Sequence, residues 1–206
     1  MARSDAAFWD KIAPKYAKDP IGDPDAYAAT LTRMRDLLRA DARVLELGCG
    51  TGSTALELAG GVASYVGTDI APAMVEIARA KLGHDTPDGL SFEVAEAGAL
   101  PSGPFDAILA LNLLHLVRDL ESAVAQAFDV LPSGGLFISK TGLLAEAPWY
   151  VRIAIHVMRA IGKAPYVRNL SVAELETILT AAGFELVETL LQPDTAPRLF
   201  VVARKP

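Results

Sequence analysis

The sequence predicts an α/β protein: a mostly parallel sheet with helices on both faces, finished by an antiparallel hairpin. Three observations carry this. Apolar runs of strand length (44–47, 65–69, 90–94, 105–111 and 136–140) alternate with stretches of helical period. The first run feeds directly into a turn with glycine at every second position, Gly48, Gly50 and Gly52. The last two runs, 184–191 and 199–203, have no helix between them and must pair antiparallel.

The chain has 206 residues, enough for one domain with a substantial core, and its 51% hydrophobic and 21% charged residues are those of a globular protein. A net charge of -6 argues against wrapping nucleic acid. Cys49 is the sole cysteine, so no disulfide framework or multi-cysteine metal site exists, and a small turn-filling role suits it. The first residues lack the apolar stretch of a signal peptide, and no long uncharged apolar run suggests a membrane span. The expectation is a cytoplasmic protein without bound metal.

The elements follow in order. Phe8, Trp9 and Ile12 share a face of a short helix expected to stop near Pro14; Asp19-Pro20 and Asp23-Pro24 mark turns. Tyr27, Leu31, Met34 and Leu38 form the stripe of a helix laid on the sheet. After Asp69, Pro72 sits in a first helical turn, Met74, Ile77, Ala78 and Leu82 give the buried stripe, and Gly83 ends it. Leu120, Val124, Ala127, Phe128 and Leu131 form another helical face, broken by Pro132-Ser133-Gly134-Gly135. Ser171 and Glu174 make a capping box for the last helix, which buries Leu175, Ile178, Leu179 and Ala182 and ends at Gly183. The final two strands are joined through Pro193 and Pro197.

Two acids stand out. Glu46 lies at the end of an apolar strand, where a carboxylate is expensive unless something binds it. Asp69 closes the next strand, at the distance where an acid bonds ribose hydroxyls in a βαβ nucleotide site. The turn is G-x-G-x-G rather than G-x-G-x-x-G, and Glu46 would repel a pyrophosphate. A cationic ligand with an adenosine ribose suits both acids better than a nicotinamide dinucleotide does.

E-L-G-C-G-T-G at 46–52 followed by V-G-T-D-I at 66–70 resembles the class I S-adenosylmethionine (SAM)-dependent methyltransferases. The resemblance implies a Rossmann-like seven-stranded sheet over nearly the whole chain, 1–206, as a single methyltransferase domain with SAM as cofactor. It places Glu46 near the methionine end, Gly48, Cys49, Gly50 and Gly52 around the cofactor, and Asp69 and Ile70 at the ribose. Glu96 stands where the family usually has an Asp accepting from the adenine amino group, Ala97 offers its N–H to the ring, and Leu111 adds a further wall. Residues 1–40 resemble the helical cover of small-molecule methyltransferases, with Tyr16 touching the methionine end or the acceptor and Trp9 near the substrate.

Asn112 and His115 follow a strand's carboxyl end, where ligands bind in open α/β sheets. His115 is the leading candidate for a general base, with Tyr16 and His156 in reserve. Residues 143–168 are the expected substrate lid. Within it Arg152, His156, Arg159 and Lys163 fall on one helical stripe, while Trp149, Tyr150 and further apolar residues cover the remainder, with Tyr166 just beyond. Three readings remain open for it: a cap helix with a solvated face, a lid over a hydrophobic acceptor, or a membrane-surface helix. The expected activity is methyl transfer to a small hydrophobic molecule. The alternatives are a nicotinamide-dependent oxidoreductase and a non-catalytic SAM-binding or membrane-associating protein.

Overall fold

The computed structural model describes residues 2–192 and 197–206. Its helices are α1 (Ala2–Tyr16), α2 (Pro24–Leu37), α3 (Ser53–Leu58), α4 (Pro72–Ala80), α5 (Leu120–Val130), α6 (Trp149–Ala160) and α7 (Val172–Ala181). Its strands are β1 (Arg43–Leu47), β2 (Ser64–Asp69), β3 (Leu90–Val94), β4 (Ala107–Leu111), β5 (Leu136–Gly142), β6 (Glu185–Gln192) and β7 (Arg198–Arg204). They form one seven-stranded sheet in the order β3-β2-β1-β4-β5-β7-β6. The first five strands in that order run parallel, and β7 lies antiparallel between β5 and β6. Of the expected hairpin connection, Pro197 is described; Pro193 lies outside the described residues.

Alternation along the strands divides the core in two. Leu45 and Leu47 of β1, Ile108 and Ala110 of β4, and Val201 of β7 pack with Val124 of α5 and Leu175 and Ile178 of α7. Val44, Leu109, Ile138 and Val202 point to the other face, against Leu31 and Met34 of α2, Ala55 of α3 and Val75 of α4. This parity decides the face on which three charged side chains stand. Glu46 shares the face of Val44, Lys140 that of Ile138, and Arg198 that of Phe200 and Val202, so all three belong to the α2 side.

Helix α1 does not stop at Pro14; it runs on to Tyr16, and Ala17 N–H still reaches the Ala13 carbonyl at 3.0 Å. Proline there forfeits only the bond to the Asp10 carbonyl, and packing outweighs it. Ala13 is fully buried against Ala71 and Met74, with Trp9 and Ile12 alongside. Asp10 Oδ1 also accepts the Ala73 N–H at 2.9 Å, capping an α4 terminus that has no side-chain cap of its own. Helix α4 ends at Ala80, before the expected Gly83. The capping box of α7 is half made. Ser171 Oγ accepts Glu174 N–H at 3.2 Å, but the Glu174 carboxylate turns to Arg168.

The glycine turn has left-handed backbone at Gly48, Gly50 and Gly52. Gly52 leads into α3 with φ of 78°, and a Cβ there would stand 2.6 Å from Phe92 Cζ and 3.0 Å from Ala78 Cβ. Gly52→Ala should therefore cost about 1–2 kcal/mol in backbone strain and about 1–3 kcal/mol in overpacking. The expected outcome is a fall in the urea midpoint at unchanged m.

Candidate functional site

The turn after β1 is sewn to the end of β2. Cys49 N–H donates to the Thr68 carbonyl at 2.8 Å. The Asp69 carboxylate accepts Gly50 N–H on Oδ2 and Ala71 N–H on Oδ1, each at 2.9 Å. One carboxylate thus fixes both the glycine turn and the approach to α4, while its remaining lone pairs stay available to hydroxyl donors. Burial raises its pKa, opposed by these two backbone N–H groups.

Glu46 is 2% exposed. Tyr65 Oη–H donates to its Oε2 at 2.9 Å, a bond that favours the carboxylate. Burial dominates nonetheless, and with the nearby Asp69 charge it raises the Glu46 pKa to about 7.

Above these acids opens a cleft of about 1130 Å³. The structure brings Glu46, Gly48, Cys49, Gly50, Asp69 and Ile70 to its wall, together with Glu96, Ala97 and Leu111. Trp9, Tyr16 and Asn112 also line it. The Glu96 loop lies beside Asp69 because Ala95 N–H donates to the Asp69 carbonyl at 3.0 Å. Tyr16 hangs over the glycine turn: its Cε1 is 3.8 Å from where a Gly50 Cβ would stand, and its ring meets Trp9 edge-on at 6.3 Å. Burial, then the charges of Asp69 and Glu46, raise the Tyr16 pKa. Burial also pushes the Cys49 thiol up, away from any reactive thiolate.

Several expected residues lie elsewhere. Gly52 is beneath Phe92 and does not line the cleft. His115 is likewise absent from its wall. It occupies a single 3-10 turn, Leu114–Leu116, entered through the left-handed backbone of Asn112 with φ of 54°. That reversal turns its ring toward Gly142, where a Cβ would be 3.5 Å from it. Its Nδ1 is buried without a hydrogen-bond partner among the described residues, and burial, with a smaller contribution from Arg198, lowers its pKa to about 4. His115 is thus neutral and packed beside Gly142, and its placement lends no support to the expected role as a base. Trp149 and Tyr150 project into solvent, 72% and 54% exposed, rather than into the cleft. His156 and Tyr166 line a separate cavity of about 530 Å³ that shares Asp5 and Arg118 with the cleft. The Asp5–Arg118 ion pair, 2.6 Å, stands between the two.

Sequence reasoning missed a further part of the cleft wall, Tyr27, Thr30, Lys140 and Arg198. Lys140 is 8% exposed and donates to Thr30 Oγ1 at 2.9 Å. Burial lowers its pKa first, then the Arg198 charge, against a raising effect of Asp23. The available signal was parity: a lysine two residues after buried Ile138 must face the same side.

The cleft fits the expected cofactor by its donor set. A buried carboxylate with a pKa near neutrality calls for a cation, and Asp69 beside a turn carrying no side chains can receive ribose hydroxyls. The comparisons with known proteins agree. Residues 22–189 match the methyltransferase domain family. The chain is 33% identical over 179 residues to malonyl-[acyl-carrier protein] O-methyltransferase of Geobacter sulfurreducens, covering 81% of this chain and 67% of that protein. It is 30% identical over 216 residues to ubiquinone biosynthesis O-methyltransferase of Azorhizobium caulinodans, covering 91% and 81%. The crystal structure of YcgJ from Bacillus subtilis superposes with a TM-score of 0.67 at 26% identity, over 81% of this chain and 74% of that one. The chain belongs to the methyltransferase domain family. It is a SAM-dependent methyltransferase with the Rossmann-like class I fold. The nicotinamide alternative is thereby set aside.

Three outcomes are expected of the acids. A positively charged ligand binds ionised Glu46, so SAM affinity should fall about tenfold per pH unit below about pH 7 and level off above it. Without ligand the sign reverses. A carboxyl raised from 4.5 to about 7 is more protonated in the folded state, so stability falls as pH rises between those values. Titration calorimetry across this range, with Glu46→Gln giving a flat and weaker profile, checks both the slope and its source. Asp69→Ala should weaken SAM binding by about 1.5–3 kcal/mol, the range for a hydrogen bond to a charged group, read by the same calorimetry.

Proposed function

We propose that this enzyme methylates an acidic oxygen on a small, largely apolar molecule, the acceptor lying beside Lys140 in the cleft. The observation that carries this is that one continuous cavity is lined both by the acids Glu46 and Asp69 and by the buried amine of Lys140. Single-ligand pockets run to about 1,000 Å³, so about 1130 Å³ accommodates two molecules side by side. Trp9, Tyr16, Ile21, Tyr27, Leu116 and Val117 supply apolar and aromatic lining to the same cavity.

When bound, SAM supplies an electrophilic methyl group on a sulfonium. The chain's contribution is to bind, orient and exclude water. Glu46 and Asp69 hold the cationic nucleoside, Glu96 and Ala97 border its base, and Tyr16 covers the junction of the two halves. Lys140, with two N–H groups beyond the one given to Thr30, holds the acceptor oxygen as an anion. An acceptor bound already ionised needs no general base, which agrees with the displacement of His115 from the cleft. Rate enhancement then rests on positioning two reactants in line. Among the relatives, the malonyl and ubiquinone-pathway enzymes are named O-methyltransferases, and O-methylation of an acidic group is the chemistry this cleft supports. On this reading 1–40 is the cover of a single domain spanning the chain.

The test is SAM turnover against a panel of phenols, carboxylic acids, amines and thiols. Phenols or carboxylic acids should be the substrates. Lys140→Met, a substitution buried sites tolerate, should raise KM for the acceptor roughly tenfold or more, about the 1.5 kcal/mol of a charge-assisted hydrogen bond, while leaving the SAM KM unchanged. Turnover confined to amines or thiols refutes the proposal.

A further inference from the structure

No residue of α6 is buried. The helix rests on the body through Val151, Ile155 and Arg159, which are partly covered. Arg159 is pinned there: its Nη1 donates to the Val167 carbonyl at 3.3 Å and its guanidinium lies 5.0 Å from the Tyr166 ring centre. Trp149, Tyr150, Ile153 and Val157, with Ile161 just past the helix end, are 54–72% exposed. At about 100° per residue these five fall within an arc of about 120°, centred roughly opposite the body-facing residues. The apolar face therefore points away from the protein and from the cleft, which corrects the expectation that it lines a pocket.

The flank of this face is basic. Arg152 and His156 lie along one edge and Lys163 follows, while 149–163 contains no acid in a chain whose net charge is -6. Trp149 and Tyr150 stand at one end with an edge-to-face contact of 6.1 Å between their rings. No helix among the described residues is long and apolar enough to cross a membrane.

We infer that α6 is a membrane-surface helix that seats the enzyme on an anionic lipid bilayer, its apolar face in the headgroup–acyl boundary and its basic flank on the lipid phosphates. The physical match is specific: apolar arc outward, cations at its edge, amphipathic aromatics at one end. A second copy of the chain fits less well, because pairing α6 with itself would bring Arg152, His156 and Lys163 of both copies together. The smaller cavity, bordered by His156, Arg159 and Tyr166, adjoins this helix, so a lipid-dissolved acceptor would arrive beside the cleft.

The experiment is flotation of the protein with phosphatidylcholine vesicles, with and without phosphatidylglycerol. The expected result is binding at least about tenfold tighter to the anionic vesicles, the scale set by a few basic residues at a charged surface. Adding salt or introducing Arg152→Glu should reduce it. Ile153→Ser, Val157→Ser and Ile161→Ser combined should abolish vesicle binding while SAM binding by calorimetry is retained, since none of the three touches the core. Wild-type protein that floats with neither vesicle, or a triple variant that floats as well as wild type, overturns the inference. So does a dimer, seen by light scattering, that the triple variant dissolves without any vesicle binding. No step of this test requires the acceptor, so its failure is distinct from failure of the proposed O-methylation.

Discussion

The burial of one carboxylate governs the rest of this molecule. Glu46 stands near the end of the interior strand β1, 2% exposed, with the Tyr65 hydroxyl donating to it. Strand parity forces it onto the α2 face, and the neighbours β2 and β4 shut out lateral solvent. A well-packed apolar residue there would make a more stable protein. The fold keeps a group whose ionisation it opposes; the Tyr65 hydroxyl offsets part of that opposition, and a cation arriving in the cleft offsets more. The surrounding devices serve to keep that cation in place. Asp69 locks the glycine turn against β2, Asp10 fastens α1 to the head of α4, and α1 thereby brings Tyr16 over the turn.

What the residues announced in advance was whatever depends on one-dimensional periodicity. Strand and helix alternation gave the sheet, and the distance from Gly48 to Asp69 gave the cofactor crevice, because each is a local pattern with a fixed geometric meaning. Three features were not local. Pro14 read as a stop, yet the buried contacts of Ala13 with Ala71 and Met74 hold the helix through it. His115 read as a cleft residue because it follows a strand's carboxyl end, but the left-handed backbone at Asn112 redirects the chain after three residues. In α6 the apolar and basic stripes were both visible, but which of them met the body depended on where Tyr166 and Val167 came to lie, about ten residues further on. Lys140 was hidden for a different reason. At the end of an apolar strand a lysine reads as a solvated terminus, and only the packing of α2 across it, with Thr30 at 2.9 Å, encloses it.

The opposed charges in the wall of the cleft have a consequence for the proposed reaction. Transfer of a methyl group from a sulfonium to an anionic oxygen converts a cation and an anion into two neutral groups. In water that change is resisted, because both ions lose their hydration on the way to the transition state. In a cleft walled by Trp9, Tyr16, Tyr27 and Leu111 at the end of β4, much of the desolvation accompanies binding and precedes the chemical step. Glu46 and Lys140 then act as fixed counter-charges that draw each reactant out of water without moving during the reaction. Both sit on the same face of the sheet, on strands separated only by β4, and their pKa values are displaced by burial toward their neutral forms. Burial opposes the charge on each, and a ligand of opposite charge offsets that cost, so the event that brings the two reactants into line also relieves the protein's own electrostatic strain.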